Sequence, residues 1–88
     1  MHEASLMNDL MGKILEIAEQ NQAVKVDRVD VWLGALSHMS PSHFSEHYEE
    51  ASRGTIAEGA SLQCETSEDI RHPHAQDILL KNIEVVSA

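Results

Sequence analysis

The chain has 88 residues, 15 acidic against six basic, for a formal net charge of −9, which argues against nucleic acid and anionic membrane surfaces as partners. Its length fits one domain that buries roughly 60–65% of its unfolded surface, enough for one small core. The lone cysteine, Cys64, excludes an internal disulfide framework and a cysteine-rich zinc site, and with no basic-then-apolar leader and no run of eighteen apolar residues the expected compartment is the cytoplasm.

Taken in chain order, SLMNDLMGKILEIAEQ reads as a helix from Ser5. Leu6, Leu10, Ile14, Ile17 and Ala18 recur at three- and four-residue steps, and Met7 and Met11 widen the stripe. AVKVDRVDVWLGAL reads as a strand in which Val29, Val31 and Leu33 alternate with Arg28, Asp30 and Trp32. Val24 and Val26 have the opposite parity, so the strand either starts near Arg28 or carries a bulge near Asp27. Gly34 ends it. Ser40–Pro41 is a helix start, a capping hydroxyl followed by proline at the first helical position. Phe44, Tyr48 and Ala51 form that helix's apolar stripe, and Gly54 is its stop.

Two more strands follow. Ala60, Leu62 and Cys64 share one face of the first. Leu79, Ile83 and Val85 share one face of the second, with Lys81 out of phase at a bulge or strand end. The polar stretch SEDIRHPHAQ between them, with Pro73, is a loop. The order helix–strand–helix–strand–strand implies an α+β domain of two layers, two helices on one face of a small, about three-stranded, mixed sheet. The last two strands are expected to form an antiparallel hairpin.

These segments carry a resemblance. MHE at the start, the strand pattern from Val26 to Gly34, a proline-initiated helix and then GTIAEGASL resemble, in that order, the nickel-insertion accessory proteins of hydrogenase and urease maturation, the HypA/HybF family. The likeness runs through about the first sixty-five residues and resumes at ILLKNIEVV. The resemblance implies a nickel metallochaperone that assists assembly of the NiFe hydrogenase or urease centre. Its implied partners are the nickel-handling GTPase of hydrogenase maturation and the hydrogenase large subunit. Family members carry a zinc domain with two CxxC pairs between the last two strands. Here a loop over about 66–76 stands in its place, so residues 1–88 are expected to be a single nickel-binding-type domain and zinc is not an expected cofactor. The family often has a carboxylate just before the second helix; this chain has Ser40 there.

The opening residues have a chemistry of their own. The amine of Met1 and the backbone amide of His2 close a five-membered chelate ring, and the His2 imidazole closes a six-membered one. Nitrogen donors in a plane suit Ni(II) or Cu(II). Glu3 is the fourth donor that the family suggests, and His38 is a further candidate if its loop returns to the N-terminus. The plainer alternative is that MHE starts an edge strand and holds nothing.

The remaining histidines read more simply. His43 and His47, four apart, share a helix face; a solvated face is the simpler account, since no third ligand is evident. His72 and His74 flank Pro73 as solvated loop residues. Cys64 reads as a small core residue. Trp32, opposite to Val31, marks an interface if the second sheet face is open. Open sheet edges suggest a homodimer, formed by exchange of the C-terminal strand. No nucleophile motif or phosphate-binding glycine loop is present, so the chain is not expected to be an enzyme. A second functional reading is a zinc-domain-less scaffold or regulatory module that does not deliver metal.

Overall fold

A computed structural model describes residues 2–87 of the chain, with side chains from Ser5 onward. The elements are α1 (His2–Gln20), β1 (Ala23–Leu33), α2 (Pro41–Ser52), β2 (Ser61–Thr66) and β3 (Ile78–Ser87), in the expected order. The sheet is mixed: β1 lies in the middle, parallel to β2 and antiparallel to β3. Both helices pack on one face. Met7, Leu10, Met11, Ile14 and Ala18 of α1 and Phe44 and Tyr48 of α2 form one buried cluster with Val26, Val29, Val31 and Leu33 of β1.

α1 begins at His2 rather than Ser5. Ser5 is an exposed residue inside the helix, not its cap, and the edge-strand reading of His2 and Glu3 is overturned. α2 begins as the sequence implies: the Ser40 hydroxyl accepts the His43 N–H at 3.1 Å, with Pro41 first in the helix. Gly54, at φ +81°, takes the left-handed turn that ends it.

Three register shifts separate β1 from β3, and two of them bear on the strand parities. Val26 pairs with Val85 and Arg28 with Glu84, so Asp27 is the unpaired extra residue and Val26 returns to the core face, fully buried. Likewise Asp30 faces Asn82 and Val31 faces Leu80, leaving Lys81 unpaired. This second bulge corrects one assignment. Ile78 and Leu80 join Ile83 and Val85 against the core, and Leu79 does not.

The expected hairpin of the last two strands is also corrected, because β2 and β3 flank β1 and do not pair with each other. Parallel pairing of β1 with β2 needs a crossover, which α2 supplies. With β2 on one edge of β1, β3 takes the other, and residues 67–77 must cross the end of β1. They do so over Gly34. The Gly34 N–H donates to Asp77 O at 2.9 Å, Leu36 N–H to Ala75 O at 2.7 Å, and Ser67 N–H to Leu33 O at 3.0 Å. A Cβ on Gly34 would lie 2.3 Å from Ala75 O, a backbone atom. Gly34→Ala is therefore expected to lower unfolding free energy by about 2–3 kcal/mol. Urea denaturation checks this, read as a lower midpoint at unchanged slope.

A histidine-rich end of the domain as candidate metal site

The direction of α1 decides where the predicted ligands sit. Ile17 and Asn21 line one groove with Leu80, Ile83 and Val85, and the Ser87 hydroxyl donates to Asn21 O at 3.2 Å. Leu6, Asp9 and Leu10 line another groove with His74, Asp77 and Ile78. α1 thus runs alongside β3 in the same direction. Its first turn lies at the end of the sheet where β1 finishes and β3 begins. That end also carries the 34–40 connection, the start of α2 and the 67–77 crossing. His38, His43, His72 and His74 belong to these segments, with the backbone of His2 in the first turn of α1 and His47 one turn further along α2, a convergence that chain order alone does not reveal.

Of the predicted ligands, Met1 lies outside the described residues, as do the side chains of His2 and Glu3; the backbone of His2 and Glu3 forms the first turn of α1. His38 is exposed, at φ +59° in the 34–40 connection. It stands between two buried residues, Ser37, whose hydroxyl has no partner, and Met39, part of the core. Ser40 spends its hydroxyl on capping α2. Among the described residues, no three His, Cys, Asp or Glu side chains gather as a metal centre.

The other histidines form two local arrangements. His43 and His47 place their Nε2 atoms 3.0 Å apart, with ring centroids 4.7 Å apart. In the 67–77 crossing, the His72 ring lies 4.7 Å from Trp32, His72 Nδ1 accepts the His74 N–H at 3.0 Å, and His74 Nδ1 meets Asp77 at 2.9 Å. Trp32 is thereby half-covered by the crossing instead of standing open on the second sheet face. Around it that face is polar, with an Arg28–Asp30 ion pair at 2.7 Å and Lys81 bonded to Glu65. The hydrogen bond that Arg28 donates to Asp30, with the charge of that carboxylate, raises the pKa of Arg28 further. Cys64 is half-buried against the core, and burial pushes its thiol pKa up, away from the thiolate that binds metals.

Tyr48 explains part of the motif GTIAEGA. Its hydroxyl donates to Ala57 O at 2.8 Å, and burial pushes its pKa up to about 12. Ile56 O accepts the Val26 N–H at 2.9 Å, next to the first bulge. The Thr55 hydroxyl donates to Ser52 O at 2.7 Å and accepts the Ala57 N–H at 3.1 Å. This segment clamps the end of α2 to β1, so its role is structural.

Residues 1–72 match the family described as hydrogenase/urease nickel incorporation, metallochaperone, hypA. The chain belongs to the HypA family. Hydrogenase maturation factor HypA of Rhizobium leguminosarum bv. viciae is 40% identical over 63 residues, covering 72% of this chain and 56% of the relative. The Archaeoglobus fulgidus protein of the same name is also 40% identical over 63 residues, covering 72% and 57%. The chain thus spans a little over half the length of these HypA relatives. The solution structure of the Ni metallochaperone HypA from Helicobacter pylori superposes over 100% of both chains with a TM-score of 0.80 at 22% identity, a likeness of fold that includes β3, beyond the family match.

Because the 67–77 crossing closes the sheet through backbone hydrogen bonds, the HypA-type fold here is expected to stand without zinc. Thermal unfolding followed by circular dichroism, with and without a strong chelator, is expected to give the same midpoint within about 1 °C. Loss of the cooperative transition on chelation would show a metal holding the fold.

Proposed function

We propose that this domain binds one Ni(II) as cargo through Met1, His2 and Glu3 and assists metal-centre assembly of NiFe hydrogenase or urease. The observation that carries the reading is the family match, which begins at residue 1 and so includes the MHE segment. The start of α1 at His2 supports it chemically. The first four N–H groups of a helix have no acceptor within it, so the His2 amide has no intrahelical bond to lose when it gives up its proton to a metal. The positive end of the helix dipole favours the negative charge left on that amide and on the Glu3 carboxylate, by roughly 0.3–1 kcal/mol per group.

The amine, the deprotonated amide and the imidazole supply three nitrogens in a plane. Glu3 completes the set, with His38 as a further donor from the connection at the same end. Such a donor field makes Ni(II) square planar and diamagnetic. Protons compete for every one of these ligands, so binding weakens as pH falls. By family likeness, the cargo passes to the nickel-handling GTPase and the hydrogenase large subunit. Neither zinc nor catalysis enters this account.

The engagement of Ser40 as a helix cap favours a second reading. Lacking a carboxylate at that position, the domain would act as a scaffold in maturation without delivering metal. Calorimetric titration with Ni(II) on the authentic, untagged N-terminus separates the two. The metallochaperone reading expects one equivalent bound tightly, at least about a hundredfold loss on His2→Ala or N-terminal acetylation, and a smaller loss on His38→Ala. An N-terminally extended chain that binds nickel as well as the native one would overturn it and leave the scaffold reading.

A further inference from the structure

The geometry of α2 points to a second, weaker metal site: we propose that His43 and His47 bind one late first-row divalent ion, Cu(II) or Ni(II), through their two Nε2 atoms. The inference does not depend on the N-terminal site. Its basis is a distance. The two Nε2 atoms are 3.0 Å apart. Two nitrogens bound at about 2.1 Å and at right angles around one metal are about 3.0 Å apart, whereas tetrahedral ligands at the same bond length are about 3.4 Å apart. The pair is therefore spaced for adjacent corners of a square or octahedron, the geometries Cu(II) and Ni(II) prefer, and less well for tetrahedral zinc. In the metal-free chain one Nε2–H donates to the other Nε2; when an ion takes both Nε2 atoms, the donating ring passes that proton through solvent to its own Nδ1 and binds as the neutral Nδ1–H tautomer.

The frame under the pair is rigid. Ser40 caps the turn that begins with Pro41, and the His43 N–H is the group it holds. Phe44 and Tyr48, each next in sequence to one of the histidines, are 0% and 2% exposed and anchor this stretch of helix to the core. Both imidazoles are half-buried on the flank of α2, which restricts their rotamers before metal arrives. His47 also lines an open groove with Glu50, Met7 and Asn8. The groove admits solvent, which fills the remaining coordination positions, and Glu50 and the net charge of −9 favour a cation there. The positive end of α2 opposes it by roughly 0.3–1 kcal/mol. With only two protein ligands, the site is a holding point and not a closed centre. Asn8 lies six residues along α1 from His2, roughly 9 Å of helix rise, so the pair is a neighbour of the N-terminal turn.

The test uses the full chain carrying His2→Ala, which removes the N-terminal imidazole, titrated with Cu(II). Calorimetry gives stoichiometry, and electron paramagnetic resonance counts the bound imidazoles. The proposal expects one equivalent with two imidazole nitrogens. It also expects His43→Gln or His47→Gln in that background to weaken binding at least about tenfold, with the double variant little worse than either single one. Circular dichroism should stay unchanged in every variant, because neither ring belongs to the core cluster. Equal Cu(II) affinity with and without the pair, or imidazole signals that persist in the double variant and vanish on replacing His72 and His74, would overturn it. Ni(II) binding at the native N-terminus is measured separately and neither rescues nor sinks this site.

Discussion

The domain depends on one close approach, the passage of residues 67–77 over the end of β1 at Gly34. β1 is paired on both edges, so β3 can reach its place only if the chain leaving β2 crosses that end. The crossing is held by hydrogen bonds on both sides of Gly34, and the space between Gly34 and Ala75 O excludes even a methyl group. Ala75 itself is 4% exposed, so the crossing is part of the folded interior. Here short-range backbone bonding closes the sheet, and the stability of the domain comes from the cluster that α1, α2 and β1 bury together.

The same closure assembles the chemistry. It brings the first turn of α1, the connection holding His38, the start of α2 and the loop holding His72 and His74 to one end of the sheet. The imidazoles there remain in separate arrangements. The His72 ring is against Trp32, His74 is bonded to Asp77, and His43 is close to His47. An acidic chain with imidazoles near one end of its sheet favours the approach of a cation to that end.

Much of this was legible in the sequence, for physical reasons that can be named. Ser40–Pro41 and Gly54 marked both ends of α2 because capping and left-handed geometry are local requirements. The opposite parity of Val24 and Val26 left two readings, a strand starting near Arg28 or a bulge near Asp27, and the structure has the bulge, since a strand with one buried face cannot change phase without an extra residue. The hairpin expectation failed because strand pairing is not local: nothing in Ser61–Thr66 or Ile78–Ser87 encodes that β1 will come between them. Leu79 was assigned to the wrong face for a related reason, since the bulge at Lys81 resets the phase of the residues before it. The extra turn of α1 was missed because His2 and Glu3 carry no apolar periodicity. Of the site, chain order displayed the ligand types, and the spacing of His43 and His47 was visible. The 3.0 Å approach of their Nε2 atoms and the gathering of His38, His43, His72 and His74 at one end required the topology.

The central claim is that Ni(II) is taken by the first turn of α1 on a preformed, zinc-independent fold. A nitrogen–proton correlation spectrum of the native chain with one equivalent of Ni(II) tests it most directly. The account predicts sharp, diamagnetic resonances, with shifts confined to the first turn of α1 and residues 34–40 and with the amides of β1, β2 and β3 unmoved. Paramagnetic broadening, or shifts centred on residues 67–77 while the first turn of α1 stays unchanged, would contradict it.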